Sequence, residues 1–289
     1  GVKMNAYYTQ ATCTPSRGAL MTGKYPIHLG LQHSTINYEA PWGLPLRERI
    51  LPELLEQSAN YASHIIGKWH LGHFSEAFLP HRRGFDSFFG FYSSAISYVD
   101  HVAELGRCAD PNCFYDFHDG SRNVDHDVYT TYLVDTRARG LISNHDLNQP
   151  MFLYYAIPNP HSPLMIPDDV ANRYADILTP MGNTQRRIFA GMTLLLDESA
   201  RNITLALQAA NMWANTIFIF ASDNGGAPVV YGAGSNFPLR GKKSSLFEGG
   251  VRVHAFIHSP LLPTQKRGTM YHGLFHVTDW LPTIVHGVL

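Results

Sequence analysis

A cysteine near the beginning of this 289-residue chain stands in a context that could make it reactive. Cys13 begins the string Cys-Thr-Pro-Ser-Arg-Gly, which leads into a short helix-like segment over residues 19–25 with Gly23 as its cap. A cysteine just before a helix lies at the positive end of the helix dipole, which favours its thiolate. Nucleophilic attack is therefore the first chemistry that the sequence indicates.

Two familiar cysteine chemistries depend on residues around the cysteine that can be looked for in this sequence. A thiol phosphatase loop needs a longer spacing than the one between Cys13 and Arg17, and Ala19 stands where its arginine would be. That interpretation is therefore poor. A cysteine protease needs a partner histidine and an oxyanion hole, which the sequence neither shows nor excludes.

Several other polar residues come directly after predicted buried strands. They are Lys68 and His70 after Ala62–Ile66, His161 after Met151–Ile157, and Asp223 and Asn224 after Thr216–Ala221. Turns at the carboxyl ends of strands expose such groups at one edge of a sheet. Taken singly, each has an ordinary explanation, namely a solvated lysine, core histidines and an Asp-Asn-Gly-Gly turn.

The elements that would position these residues favour an α/β fold. A fourth strand is predicted over Val251–Ile257, and helical segments alternate with the strands. The clearest helix covers residues 185–211, where apolar residues recur at helical spacing. A second helix begins near Leu51, with a proline in its first turn. Residues 94–127 are interpreted as a polar excursion carried on the sheet.

Composition supports a folded chain and argues against several partners. Hydrophobic residues make up 45% and charged residues 16%, which suits a large core. The 22 Lys and Arg and the 23 Asp and Glu nearly balance, which gives a net charge of -1. We therefore expect no nucleic-acid partner and no general attraction to anionic membranes. No apolar run approaches the roughly 18 residues of a membrane span, and GVKMNAYYTQ lacks the regions of a signal peptide.

Two further features bear on the cellular compartment. Cys108 and Cys113 are close in sequence, and a turn between them would allow a local disulfide, but two unpaired thiols fit the spacing equally well. Asn202-Ile203-Thr204 forms an N-glycosylation acceptor, which points only weakly to a secretory route.

Five ordered blocks of the sequence resemble the sulfatase family. CTPSRGALMTGKY contains the Cys-x-Pro-x-Arg pattern that directs conversion of cysteine to formylglycine, and GKWHLG, RRGFDSFFGF, SDNGG and PLRGKKSSLFEGGVR follow it. YYTQ, GLQH and GKWHLG look most similar to the arylsulfatase B (N-acetylgalactosamine-4-sulfatase) group. The resemblance implies an alkaline-phosphatase-like α/β sandwich with a central mixed sheet flanked by helices. It also implies hydrolysis of sulfate esters on glycosaminoglycans, related sulfated sugars or small aryl compounds.

The resemblance also implies a role for each site residue. A sulfate ester repels nucleophiles, so its hydrolysis needs a strong nucleophile, cations on the sulfate oxygens and an acid for the leaving alcohol. Cys13 would be converted by the formylglycine-generating enzyme and would attack as a hydrated aldehyde. Arg17 would hold the formylglycine hydroxyls, and His70 would take the proton. His161 would protonate the leaving oxygen, and Lys68 and Lys243 would be the cations on the sulfate oxygens.

Lys243 matches the family's sulfate-binding lysine better than its neighbour because the family counts three residues from Arg240. Lys242 is then a surface charge or a substrate contact. Asp223 and Asn224, with the formylglycine at Cys13, are implied to bind Ca²⁺ in preference to Mg²⁺.

One departure from the family concerns that metal. Relatives carry two adjacent aspartates well before the cysteine, whereas none of the twelve residues before Cys13 is an acid. Residues 1–289 are therefore expected to be a partial sulfatase catalytic domain, truncated at both ends, from a lysosomal or secreted protein. Two hypotheses follow, a calcium-dependent sulfatase or an inactive sulfatase-like protein that binds sulfated glycans without full metal coordination.

Overall fold

A computed structural model describes residues 1–103, 114–228 and 233–287 of the chain. The strands are β1 Val2–Tyr8, β2 Ala62–Lys68, β3 Ser87–Phe91, β4 His118–Asp119, β5 Arg122–Asn123, β6 Met151–Ala156, β7 Phe218–Ala221, β8 Ala255–His258 and β9 Met270–His276. The α-helices are α1 Cys13–Thr22, α2 Leu51–Ala59, α3 Thr130–Ser143, α4 Asp168–Arg173, α5 Ala175–Leu178, α6 Thr184–Ala209, α7 Glu248–Val251 and α8 Trp280–Gly287. Cys108 and Cys113, the predicted local pair, lie outside the described residues.

The strands of the described residues form two hydrogen-bonded sheets. One has the order β5-β4-β3-β2-β6, in which β2 runs parallel to both β3 and β6 while β4 pairs antiparallel with β3 and β5. The other has the order β7-β8-β1-β9, in which β1 is parallel to β9 and antiparallel to β8. Both sheets are mixed, as predicted for this α/β fold, but the strands divide between two sheets instead of forming one.

Strand β2 lies between two apolar layers. Ile65 packs into a cluster with residues of α1 and α2, whereas Ile66 packs into a cluster with residues of α3 and α6. Both isoleucines are fully buried. A strand buried on both faces is typical of the centre of a parallel sheet, and helices are needed to cover those faces.

Both predicted long helices are confirmed. The helix predicted over residues 185–211 is α6, and its first turn is capped by Asn183, whose side chain accepts the backbone N–H of Arg186 at 2.9 Å. The helix predicted near Leu51 is α2, where the Glu53 carboxylate accepts the backbone N–H of Ile50 at 2.8 Å.

Two sequence predictions need correction. The strand predicted over Val251–Ile257 is wrong in its first half, because residues 248–251 form the helical turn α7 and β8 begins only at Ala255. Gly249 and Gly250 cause the difference, since their bare backbones pack against a neighbouring loop. The helix predicted after Cys13 also begins earlier than predicted, at Cys13 itself, and ends at Thr22, just before Gly23, whose φ of 66° favours glycine.

The parallel strands share one functional edge. Because β2, β3 and β6 run in the same direction, the residues that follow Lys68, Phe91 and Ala156 emerge side by side. The hydrogen bonds continue beyond the strands, and the backbone N–H of His70 donates to the carbonyl of Tyr92 at 3.0 Å. This edge receives the N-terminus of α1 and the loops that follow β6 and β7.

Candidate active site

Cys13 is the first residue of α1 and is buried among charged and histidine side chains. Its exposed fraction is 2%, and it is a free thiol. Burial by itself would raise the pKa of the thiol, but the Lys68 ammonium, together with the adjacent His161 and His70 side chains, holds that pKa well below its ordinary value. The position is therefore one where a negative charge is stabilised from several sides.

Arg17 lies one helical turn after Cys13 and is fixed by three partners. Its Nη1 donates to the carbonyl of Lys68 at 2.8 Å and to the hydroxyl of Tyr154 at 3.3 Å. Its Nε and Nη2 donate to Oδ2 of Asp223 at 3.2 and 3.0 Å. Burial opposes its charge, but the neighbouring tyrosine and aspartate raise the pKa of Arg17, so the guanidinium stays charged.

Lys68 ends β2 and is one of the most buried charged residues in the described chain. Burial, together with the charges of Arg17 and Lys243, lowers its pKa from 10.5 to about 8, while Cys13 opposes that shift. The same ammonium would bind an anion strongly, because little water competes with it. Strand β2 thus places the Lys68 ammonium near Cys13, and the burial of that charge is unfavourable.

His70 is held in one tautomer. Its Nε2 lies 3.0 Å from the carbonyl oxygen of Ile36, which can only accept, so Nε2 carries the proton. Its buried Nδ1 has no hydrogen-bond partner in the described part of the chain. Burial and the charge of Lys68 lower the pKa of His70 to about 4, so its Nδ1 is an unprotonated base near Cys13.

His161 and Lys243 meet on the loop side of the site. The Nδ1 of His161 lies 2.7 Å from the carbonyl oxygen of Ser162 and therefore donates to it. The Nε2 of His161 lies 3.0 Å from the Nζ of Lys243. Lys242 is exposed, so of the two adjacent lysines only Lys243 reaches this histidine.

Asp223 and Asn224, the predicted metal ligands, follow β7. The Asp223 carboxylate pairs with Arg17, and the buried Oδ1 of Asn224 has no partner among the described residues. An orphaned amide oxygen beside a carboxylate has the donor chemistry that Ca²⁺ or Mg²⁺ prefers. The donors fit in kind but are few, because the described residues contain no group of three histidine, cysteine or acidic side chains that could hold a metal.

A set of glycines joins the loops that carry Asn224 and Lys243. A Cβ on Gly225 would collide with the carbonyl of Gly249, and one on Gly250 would collide with the carbonyl of Ser245. The backbone N–H of Lys243 donates to Gly226 at 3.0 Å. Close backbone packing of this kind is possible only without side chains, so the glycines determine where Lys243 stands.

The sequence did not predict two residues that hold this site. Asn236 accepts the N–H of Gly226 at 2.8 Å and donates to the carbonyls of Gly226 and Gly241 at 2.9 and 3.3 Å. Tyr154 contacts Arg17 from β6. The alternation of side chains along β6 is the signal that could have placed Tyr154 and Phe152 on the face of α1.

The fold is that of an α/β protein in which Cys13 lies among the cationic side chains Lys68 and Lys243. The sulfatase family profile matches residues 1–287. The chain therefore belongs to the sulfatase family, as the sequence blocks indicated. The more specific resemblance to the arylsulfatase B group stays a prediction.

Curated relatives carry several sulfatase names. The chain is 42% identical to arylsulfatase J of Mus musculus over 289 residues, which is 99% of this chain and 46% of that protein. It is 31% identical to N-acetylgalactosamine-6-sulfatase of Homo sapiens, with 96% of this chain and 53% of that protein covered. The chain thus spans about half the length of the curated relatives it matches.

Solved structures confirm the alkaline-phosphatase-like α/β fold. The structure of Ps i-CgsB in complex with k-i-k-neocarrahexaose matches with a TM-score of 0.86 and 28% identity, covering 100% of this chain and 64% of that one. PsFucS1 sulfatase from Pseudoalteromonas sp. matches in fold with a TM-score of 0.80 at 23% identity, over 99% of this chain and 59% of that one. Within the described residues, no helix has the length and apolar character needed to cross a membrane.

Proposed function

We propose that this chain contains the central part of a sulfuric ester hydrolase. The observation that carries the proposal is the convergence of two buried cations, Arg17 and Lys68, with an unprotonated histidine on Cys13. A sulfate ester brings a singly charged anionic group to the nucleophile, and such a group needs fixed positive charges around its oxygens. The local cations supply this attraction in a chain whose net charge is -1.

Each residue has a proposed task. Conversion of Cys13 to formylglycine by the formylglycine-generating enzyme would supply a hydrated aldehyde as the nucleophile. Arg17 would orient that group, because it lies one turn away on the same helix. His70 Nδ1 would accept a proton there, and Lys68 and Lys243 would hold sulfate oxygens. Once Lys243 has turned from Nε2 of His161 to the substrate, that nitrogen would first take up a proton from solvent and then deliver it to the leaving oxygen.

A divalent cation would add fixed charge at the sulfate oxygens. Asp223 and Asn224 would hold it, with the converted Cys13 as a further ligand, and Ca²⁺ suits these hard oxygen donors. Ca²⁺ takes roughly six to eight oxygens, so the described residues would supply only part of its shell.

The proposed substrates are sulfated sugars and small aryl sulfates. The names of the relatives support this class, since they include an arylsulfatase and an N-acetylgalactosamine-6-sulfatase. The similar structure of Ps i-CgsB holds k-i-k-neocarrahexaose, which supports a carbohydrate substrate. Within this class we propose a preference like that of the arylsulfatase B group, for 4-sulfated N-acetylgalactosamine, in a domain over residues 1–289. A lysosomal or secreted location is proposed with it.

Two measurements test the proposal. Mass spectrometry of the tryptic peptide that ends at Arg17 should find formylglycine at position 13 in protein made by a cell with the modifying enzyme. Matched aryl sulfate and aryl phosphate esters with one leaving group should then be compared. Turnover of the phosphate ester above that of the sulfate ester, or an unmodified thiol in active protein, would contradict the proposed mechanism.

The second hypothesis is an inactive sulfated-glycan-binding protein. The engagement of the Asp223 carboxylate by Arg17 favours it, because that carboxylate then has less capacity for a metal. Binding of a sulfated oligosaccharide without turnover, in protein whose Cys13 is converted and with Ca²⁺ present, would support this alternative over hydrolysis.

A further inference from the structure

Two adjacent tyrosines on β6 point to opposite faces of the sheet. Tyr154 packs with the cluster of α1 and α2, and Tyr155 packs with the cluster of α3 and α6. The Tyr155 hydroxyl lies 2.7 Å from the Ser199 hydroxyl, which in turn donates to Asp135 at 3.0 Å. The Tyr155 hydroxyl therefore contacts α6 and helps pack that helix on the sheet, whereas the Tyr154 hydroxyl contacts Arg17.

The Tyr154 hydroxyl is a neutral anchor for a charged group. It lies 3.3 Å from Nη1 of Arg17, which has no acceptor capacity, so the tyrosine oxygen accepts. Burial raises the pKa of Tyr154, and the nearby charges of Asp223 and Cys13 add to that rise while Arg17 opposes it. The phenol thus keeps its proton while its oxygen accepts from the guanidinium.

The three anchors of Arg17 act in different directions. Asp223 accepts from one edge of the guanidinium, and the carbonyl of Lys68 accepts from Nη1 at the other end. Tyr154 shares that Nη1 and comes from a different strand, β6. Lys68 ends β2 and Asp223 follows β7, so both ends of the planar guanidinium are held, and Tyr154 adds a contact from a third strand that limits rotation about its long axis.

We propose that Tyr154 is a positioning residue that fixes the guanidinium of Arg17 for its action on the group at Cys13. The inference rests on the proposed function and adds to it the residue that sets the geometry of Arg17. Because Arg17 acts on the nucleophile and not on the substrate, loss of the Tyr154 hydroxyl should lower kcat and leave KM nearly unchanged.

The chain offers a matched pair of variants for the test. Tyr154→Phe and Tyr155→Phe each remove one buried hydroxyl from the same strand. For aryl sulfate hydrolysis by the full chain, we expect a fall in kcat of about fivefold to tenfold for Tyr154→Phe, the size of one charge-assisted hydrogen bond at long distance. Tyr155→Phe should keep kcat within about twofold, because its lost bond stabilises the fold only.

Two further results decide whether Tyr154 acts through Arg17. Adding Tyr154→Phe to Arg17→Lys should cause no additional loss of kcat, since the partner of the hydroxyl is already gone. A wild-type kcat in Tyr154→Phe, an equal loss in Tyr155→Phe, or losses that multiply in the double variant would each overturn the proposal.

A structural measurement keeps this proposal separate from the proposed function. Crystal structures of both tyrosine variants should show the Arg17 guanidinium displaced or in several rotamers in Tyr154→Phe only. An unmoved Arg17 in Tyr154→Phe would overturn the positioning role even in an active enzyme. If wild type and both variants lack turnover, the proposed hydrolase fails, and the position of Arg17 still decides the role of Tyr154.

Discussion

The candidate site has two halves that are built in different ways. Cys13, Arg17, Lys68 and His70 belong to α1 and the end of β2, and their exposed fractions are 2%, 7%, 2% and 1%. The other half consists of partly exposed side chains on the loops after β6 and β7, namely His161, Asp223, Asn224 and Lys243. The side chains of the first half lie in the protein core, and those of the second half lie at its surface.

The difference shows how each half controls its chemistry. In the buried half, exclusion of water changes the groups themselves, so that the pKa of Lys68 falls to about 8 and that of His70 to about 4. In the loop half, backbone packing controls where the groups stand, through Gly225, Gly250 and Asn236. Reactivity should therefore depend on burial in one half and on loop geometry in the other.

The largest expected effect comes from removing the buried cation. Lys68→Met should lower aryl sulfate turnover by at least about a hundredfold, because a charge on the sulfate oxygens is lost. It should also raise the free energy of unfolding by up to about 3 kcal/mol at neutral pH, since a charge whose pKa fell from 10.5 to about 8 is no longer buried. Kinetics and urea denaturation measure the two effects.

Lys243→Met is the control from the loop half. Its turnover should also fall, but no comparable gain in stability is expected, because Lys243 is only partly buried and loses a contact with His161. A Lys68→Met protein no more stable than wild type would contradict the claim that burial tunes the first half.

The second prediction tests the packing of the loop half. Gly250→Ala should lower the free energy of unfolding by about 3 kcal/mol, because its Cβ would collide with the backbone carbonyl of Ser245. Turnover should fall with it as Lys243 is displaced. Gly140→Ala on α3 is the matched control: its Cβ would meet nothing within 4 Å, and alanine should stabilise that helix by roughly 0.5–1 kcal/mol. Equal effects at both positions would refute the packing argument.

The third prediction concerns pH and the buried half. The pKa of His70 is about 4 in the folded chain, whereas its ordinary value is 6.5. Between pH 4 and 6.5, His70 is therefore protonated to a larger extent in the unfolded chain than in the folded chain. Stability should therefore rise with pH through this window, with a contribution from this residue of about 2 kcal/mol between pH 4.5 and 6.5. Denaturation curves at the two pH values give the rise in unfolding free energy, which should be smaller by that amount in His70→Gln than in wild type. The same dependence of unfolding free energy on pH in both proteins would show that His70 is not the titrating group.

The smallest effect is expected from a single loop hydrogen-bonding side chain. Asn236→Ala removes three hydrogen bonds, of which the two to Gly226 are the shorter, and should cost about 1 kcal/mol of unfolding free energy and a few-fold in turnover. Asn148→Ala serves as the control, because its exposed side chain bonds only to Asp146. Unchanged turnover in Asn236→Ala would show that Lys243 does not depend on this contact.

The sequence predicted the buried half better than the loop half. Helical periodicity located α6, and the apolar run before Lys68 located β2, because both signals repeat locally along the chain. Strands β1 and β9 were not predicted, since both are partly exposed and mix polar with apolar residues. Asn236 bonds the backbone of loop residues that are only 10 and 5 positions away, but no periodic pattern marks a residue whose partners are loop backbone groups.

The glycine contacts also constrain how the loop half can move. The N–H of Gly225 donates to Gly250 at 2.9 Å, the N–H of Gly249 to Arg240 at 2.7 Å, and the N–H of Ser244 to Ala11 at 2.8 Å. These bonds link the segment just after β7, residues 240–250 and the segment just before α1. Kinematically, these three segments should therefore move as one body. We expect sulfate to enter and leave this side of the site through rotation of the long Lys243 side chain instead of through movement of one of these segments alone.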